Sequence, residues 1–115
     1  MAEKQWIPAR KDIVLLDFEP ATGREMGKKR PALVLTSEGY NQTGLMMVCP
    51  ISTSIRGAAI EVPIEGLDRP SVVVASQVHT MDWRERKASK IGEADSGIFE
   101  QVIQRIIPLI GGELI

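Results

Sequence analysis

Cysteine and histidine are nearly missing, with one of each in 115 residues. That excludes a disulfide framework, a Cys/His zinc site and a two-histidine acid–base pair. An excess of charge is missing too. Fourteen Lys and Arg stand against fifteen Asp and Glu, for a net charge of −1. This excludes an overall basic nucleic-acid module, although it is silent on how the charge is distributed. No apolar run approaches the roughly twenty residues that span a bilayer. The opening Met1-Ala2-Glu3-Lys4-Gln5-Trp6 lacks a signal-peptide core. What is present is ordinary for a globular chain: 43% hydrophobic and 25% charged residues. The length suits one domain over 1–115 with a self-supporting core. The expectation is a small cytoplasmic protein with no membrane segment and no metal or other cofactor.

Four apolar runs stand out, at residues 13–18, 32–35, 45–51 and 71–75. They are rich in Val, Leu and Ile and bounded by Gly, Pro, Asn and Ser, which reads as buried strand. Pro31 and Pro50 argue for strand boundaries. Weaker strands are expected at 59–63, where Ile60 and Val62 alternate with Glu61, and at 87–91. Nine residues, 36–44, separate the second run from the third. A parallel crossover needs a dozen or more, so the strands are expected to be mostly antiparallel, in a meander or small barrel. One segment has a helical period: over 97–110, Ile98, Phe99, Val102, Ile103, Ile106, Ile107 and Ile110 form one amphipathic stripe. Asp95 or Ser96 can cap its start, Pro108 should end or kink it, and Gly111-Gly112 follow as stop signals.

The connection over 19–30 carries Pro20, Gly23 and Gly27 and reads as a loop. Four of its last seven residues are basic (Arg24, Lys28, Lys29, Arg30), with Glu25 the one acid among them. A second basic stretch is Arg84-Glu85-Arg86-Lys87 and on to Lys90. Such patches can hold a polyanion without a high isoelectric point, or can simply be solvated.

Several short motifs occur in a telling order. They are Lys11-Asp12 before the apolar strand to Phe18, Gly23-Arg24-Glu25, Arg30-Pro31-Ala32-Leu33-Val34-Leu35-Thr36, and Tyr40-Asn41 with Thr43-Gly44-Leu45. Cys49-Pro50-Ile51-Ser52-Thr53, Gln77-Val78 and Trp83-Arg84-Glu85-Arg86 follow. Their order and spacing resemble the MazF/PemK (Kid) family of toxin endoribonucleases, with Lys11 where glycine is usual. The resemblance implies a mainly β fold: a small SH3-like antiparallel β-barrel with short helices and a C-terminal amphipathic helix, forming a homodimer. It also implies metal-independent cleavage of single-stranded RNA at short sequences, leaving a 2′,3′-cyclic phosphate and a 5′-hydroxyl. A cognate MazE-like antitoxin would inhibit it by laying an extended acidic segment over the RNA groove. Two other readings share the barrel. One is a toxin-like protein that only binds an antitoxin; the other is a gyrase inhibitor of the CcdB type, although the ending Gly111-Gly112-Glu113-Leu114-Ile115 lacks a terminal tryptophan.

RNA supplies its own nucleophile, the 2′-hydroxyl. A protein need only align it, help move two protons and neutralise developing charge. With His79 alone, a cation with a planar fork becomes central. Arg30 matches the family's catalytic arginine. Ser52 falls where the family has a catalytic threonine, and Thr53 could substitute if the register differs by one. Glu25 matches the loop glutamate and could orient Arg30, accept a proton, or be an exposed salt-bridge partner. Arg24, Lys28, Lys29, Arg56, Arg84 and Arg86 are candidate RNA contacts. Gln77 could read a base edge or make a structural hydrogen bond. Met26 replaces a common Gln, and Ser76 replaces an Asp, so no acid role is carried to Ser76. His79 reads as structural or exposed, and Cys49 as a small core hydrophobe. Trp83 could stack a base, serve the antitoxin groove, or belong to the core.

Overall fold

The computed structural model describes residues 6–18 and 29–112. Among these residues, seven strands and two helices follow in the order β1 (Asp12–Asp17), β2 (Lys29–Val34), α1 (Glu38–Asn41), β3 (Leu45–Ser52), β4 (Glu61–Ile64), β5 (Ser71–Val74), β6 (His79–Asp82), β7 (Ser89–Glu93) and α2 (Ser96–Leu109). Every strand pair is antiparallel. The order is β4-β5-β3-β2-β1-β7, with β6 also on β3. It is therefore not a meander, because three strands pair with β3.

The apolar runs are unbroken because the strands are covered on both faces. Ile13, Leu33, Cys49, Ile51 and Val73 belong to one cluster, against which Ile98, Phe99, Ile103 and Ile106 of α2 pack. Their neighbours Val14, Leu16, Ala32, Val34, Met46 and Val48 belong to a second cluster with Phe18, Met81 and Trp83. Alternation along each strand thus sends residues into two apolar environments rather than one apolar and one wet.

The sheet curls. Asp17 lies level with Lys29, near the Ser52 end of β3. Yet Asp17 donates its N–H to the Arg86 carbonyl (3.2 Å), and the Arg86 N–H is held by Asp82, which faces Leu45 at the other end of β3. The Asp17–Arg86 bond ties the end of β1 to the turn after β6, so the sheet is curled with a stagger into a half-barrel.

Both prolines lie inside strands rather than at their boundaries. Pro31 faces Leu15 of β1 but precedes the β2–β3 ladder, which starts at Ala32. Pro50 lies where the second edge of β3 passes from β6, paired up to Val48, to β5, paired from Ile51. In neither place is a ladder partner waiting on both sides for the missing N–H. The C-terminal helix starts as expected: the Asp95 carboxylate accepts from the Ile98 N–H at 2.8 Å. Pro108 falls in its last turn, and the chain leaves through Gly111 at φ +88°, with Gly112 N–H closing on the Ile107 carbonyl at 2.9 Å. No helix is long and apolar enough to cross a membrane among the described residues.

Lys11 adopts φ +78°, the left-handed region that disfavours a side chain. It is pinned there from both sides: its N–H donates to Val34 O (3.0 Å) and its carbonyl accepts from Ala94 N–H (2.9 Å). The next residue, Asp12, is buried; its carboxylate caps the Ala9 N–H (2.9 Å) and meets Lys90 Nζ (3.3 Å).

Candidate active site

The register of β2 on β3 sets Ala32 opposite Pro50, which brings Arg30 level with Ser52 two residues further out. Both line an open cavity of about 390 Å³ with Ser54, Arg56, Glu61, Ser76 and Gln77. Arg30 is brought by β2 and Ser52 by the end of β3. Ser54 and Arg56 come from the connection to β4, and Ser76 and Gln77 from the turn after β5.

Ser52 is 8% exposed. Its Oγ accepts the Ser54 N–H at 3.0 Å, which leaves the hydroxyl proton to be donated elsewhere. Gln77 is half-buried, and its Oε1 is a buried acceptor without a partner. A buried amide oxygen in that state, on the wall of an open cavity, is suited to a donor brought by a ligand. His79 Nε2 is likewise buried and unpartnered, while its ring meets Phe18 edge to face at 5.6 Å.

The structure brings four of the expected residues together: Arg30, Ser52, Arg56 and Gln77. Thr53 is exposed and does not line the cavity; Ser54, one residue further, does. The side chains alternate in this stretch, so Ser52, Ser54 and Arg56 fall on one side. Lys29 is exposed on β2 opposite Asp17 and also lies off the cavity wall. Arg84 covers the Trp83 ring at 4.7 Å, and Arg86 Nη1 donates to the Asp17 carbonyl at 3.3 Å; neither lines the cavity. Lys90, in the same basic stretch, is engaged by Glu93 (2.6 Å) and Asp12 (3.3 Å). The hydrogen bond to Glu93, then that to Asp12, raises its pKa, and Lys90 in turn lowers that of Glu93. Arg24, Glu25 and Lys28 lie outside the described residues, as does Met26.

Trp83 is 4% exposed and donates Nε1–H to the Asn41 carbonyl at 2.8 Å, so its ring is a core element and no stacking platform. Cys49 is buried as expected, and desolvation pushes its thiol up to about 12. Sequence reasoning missed Ser54 and Glu61 as cavity residues. The two-residue spacing Ser52-x-Ser54-x-Arg56 was the available signal for the first. Glu61 looked like the outward polar residue of a weak strand.

Residues 9–110 match the family described as PemK-like, MazF-like toxin of type II toxin–antitoxin system. The chain is 34% identical over 108 residues to the endoribonuclease toxin MazF of Escherichia coli (strain K12), covering 93% of this chain and 97% of that protein. Its fold superposes on the crystal structure of MazF (Form-I) from Deinococcus radiodurans with a TM-score of 0.89 and 36% identity, covering 93% of this chain and 99% of the other. The MazE–MazF (Form-II) structure from the same organism gives a TM-score of 0.82 at 32% identity, covering 95% and 100%. Matching in sequence across nearly its full length, and in the curled antiparallel sheet with its C-terminal helix, the chain belongs to the PemK-like, MazF-like toxins of type II toxin–antitoxin systems.

Proposed function

We propose that the chain is a single toxin domain that cuts single-stranded RNA at short sequences without a metal cofactor. The observation that carries this reading is the meeting of Arg30 and Ser52, distant in sequence, on one open cavity beside Arg56 and Gln77. The cavity offers two cations, three hydroxyls and a buried unpartnered acceptor, which suits a phosphodiester with a base beside it.

In the reaction the RNA 2′-oxygen bonds to phosphorus and the P–O5′ bond breaks. One proton leaves the 2′-hydroxyl and one arrives on the 5′-oxygen, giving a 2′,3′-cyclic phosphate and a 5′-hydroxyl. Arg30 clamps the phosphate oxygens and neutralises the charge that builds on them. Ser52 donates its O–H to a phosphate oxygen while its Oγ accepts the Ser54 N–H. Glu25 orients Arg30 or takes the 2′ proton. Arg56 grips a neighbouring phosphate, and Gln77 reads a base edge through its amide. Arg24, Lys28, Lys29, Thr53, Arg84 and Arg86 serve, on this reading, as outer contacts to the RNA backbone. The protein works in the cytoplasm as a homodimer restrained by an acidic antitoxin; the MazE–MazF complex of the similar Deinococcus protein supports that partner.

The test is digestion of a long single-stranded RNA with and without excess EDTA, followed by sequencing of the new 5′ ends. Cleavage should persist in EDTA, recur at one short sequence, and leave ends that a kinase phosphorylates directly. Arg30→Ala should lower kcat by about a hundred- to a thousandfold, the loss typical of one transition-state donor. Full activity in that variant overturns the assignment of roles.

A further inference from the structure

Residues 53–60 link β3 to β4 outside helix and strand, and they carry Ser54 and Arg56 to the cavity. Irregular backbone at a cavity wall must find partners for its N–H groups. Here one carboxylate supplies them. Glu61 Oε1 accepts from the N–H of Arg56 (3.1 Å), Gly57 (2.9 Å) and Ala58 (3.3 Å), and Oε2 accepts from Arg56 N–H (3.3 Å). Gly57 at φ +76° turns the chain so that three successive N–H groups converge on one point. Such a convergence is an anion nest, and its anion is the protein's own side chain.

The anchor is rigid. Glu61 is the first residue of β4, paired with Val74 of β5, and its own N–H closes on the Ala58 carbonyl at 3.0 Å. From the other side Arg105 Nε of α2 donates to the Ala59 carbonyl at 3.1 Å. An acid on the wall of a cavity that receives phosphate would oppose it by like charge. With both oxygens turned into the nest, the Glu61 charge is instead compensated by backbone dipoles.

We propose that Glu61 is a positioning residue: its carboxylate fixes the 56–58 backbone so that Arg56 and Ser54 face the RNA beside Arg30 and Ser52. This rests on the RNA-cleaving reading of the cavity. Arg30 and Ser52 belong to strands, and their link to this loop is the Ser54 N–H on Ser52 Oγ. Loss of Glu61 therefore weakens substrate grip more than chemistry.

The experiment compares Glu61→Ala, Glu61→Gln and Arg56→Ala with the wild type in steady-state cleavage of an RNA carrying the mapped site, and repeats Glu61→Ala in formate. Glu61→Ala should raise KM about tenfold or more with a smaller change in kcat. Glu61→Gln, which keeps one acceptor, should fall between. Formate should seat in the vacated nest and restore the KM of Glu61→Ala while leaving the wild type unchanged. Adding Glu61→Ala to Arg56→Ala should cost little more, because both remove one grip. A wild-type KM in Glu61→Ala, no response to formate, or additive effects with Arg56→Ala each overturn the proposal. Amide exchange at Arg56, Gly57 and Ala58, slow in the wild type and fast in folded Glu61→Ala, tests the nest without RNA. Failure of the wild type to cut RNA would count against the proposed function, while unchanged exchange would count against the nest.

Discussion

Asn41 offers a sharp test of how the barrel is held. It is fully buried. Its Nδ2 donates to the carbonyls of Pro8 (2.7 Å) and Thr36 (2.9 Å), and its Oδ1 accepts from Thr36 Oγ1 at 2.6 Å. Asn41→Asp changes almost no volume but replaces the two-proton donor with an oxygen aimed at two carbonyls. When protonated, the new carboxyl can still donate to one of them; the other is left unpaired, at a cost of about 1–3 kcal/mol. When ionised, it can donate to neither. Burial and the facing carbonyls therefore raise its pKa in the folded state. The unfolded chain releases the proton near the ordinary Asp value of about 3.9 while the folded one still holds it. The sign follows: stability relative to the wild type is best preserved below about pH 4 and falls by about 1.4 kcal/mol per unit as pH rises toward the folded-state pKa. By neutral pH the total loss should reach roughly 4–6 kcal/mol, a large part of the 5–15 kcal/mol that holds a typical domain. Urea unfolding of variant and wild type across that range reads the difference directly. A variant within about 1 kcal/mol of wild type at neutral pH, or a deficit that does not change with pH, would refute the reasoning.

Lys11→Gly should stabilise the protein by about 1 kcal/mol, raising Tm by roughly 4 °C in thermal melting, because it releases the φ +78° strain and gives up an exposed Lys11–Ser96 hydrogen bond and a weak attraction to the exposed Glu93. Cys49 should resist alkylation in the folded protein at mildly alkaline pH and react only at the rate of unfolding. Its thiol, pushed up to about 12, also means that stability is complete below the ordinary thiol value and declines as pH climbs above it. Ser52→Thr should retain cleavage, whereas Ser52→Ala should lose about two orders of magnitude in kcat with the hydroxyl, measured on the same RNA.

Much of the fold was legible because its signals are local. Asp95 and the stripe from Ile98 to Ile106 mark α2 within a residue of its bounds. The runs through Val14, Leu33, Val48 and Val73 mark four strands. The weaker signals at 59–63 and 87–91 mark β4 and β7, each displaced by a residue or two, while β6 and α1 carry no such signal. β6 is His79-Thr80-Met81-Asp82, with one buried apolar residue among polar ones, and it is a strand only because β3 offers it an edge. α1 is a single turn whose Asn41 is fixed by tertiary hydrogen bonds. Pro31 and Pro50 misled because a proline's cost depends on which neighbours it faces, a property of register rather than composition. At the site, Arg30 and Ser52 were visible through motif order. Glu61 was not, since nothing in the sequence says that the N–H groups three, four and five residues before it will turn toward it.

On the roles proposed above, the divided edge of β3 separates cutting from reading. Eight of the ten described residues around the cavity, from Ser54 to Gln77, hang on the β4–β5 hairpin and its flanking turns. Arg30 and Ser52 stay on the strands of the larger sheet. If those proposed roles hold, the hairpin is a cassette: exchanging residues 53–77 between toxins should change which RNA sequence is recognised while Arg30 and Ser52 stay in register. Diversity of targets within one barrel then needs no new catalyst, only a new hairpin hung from the same strand.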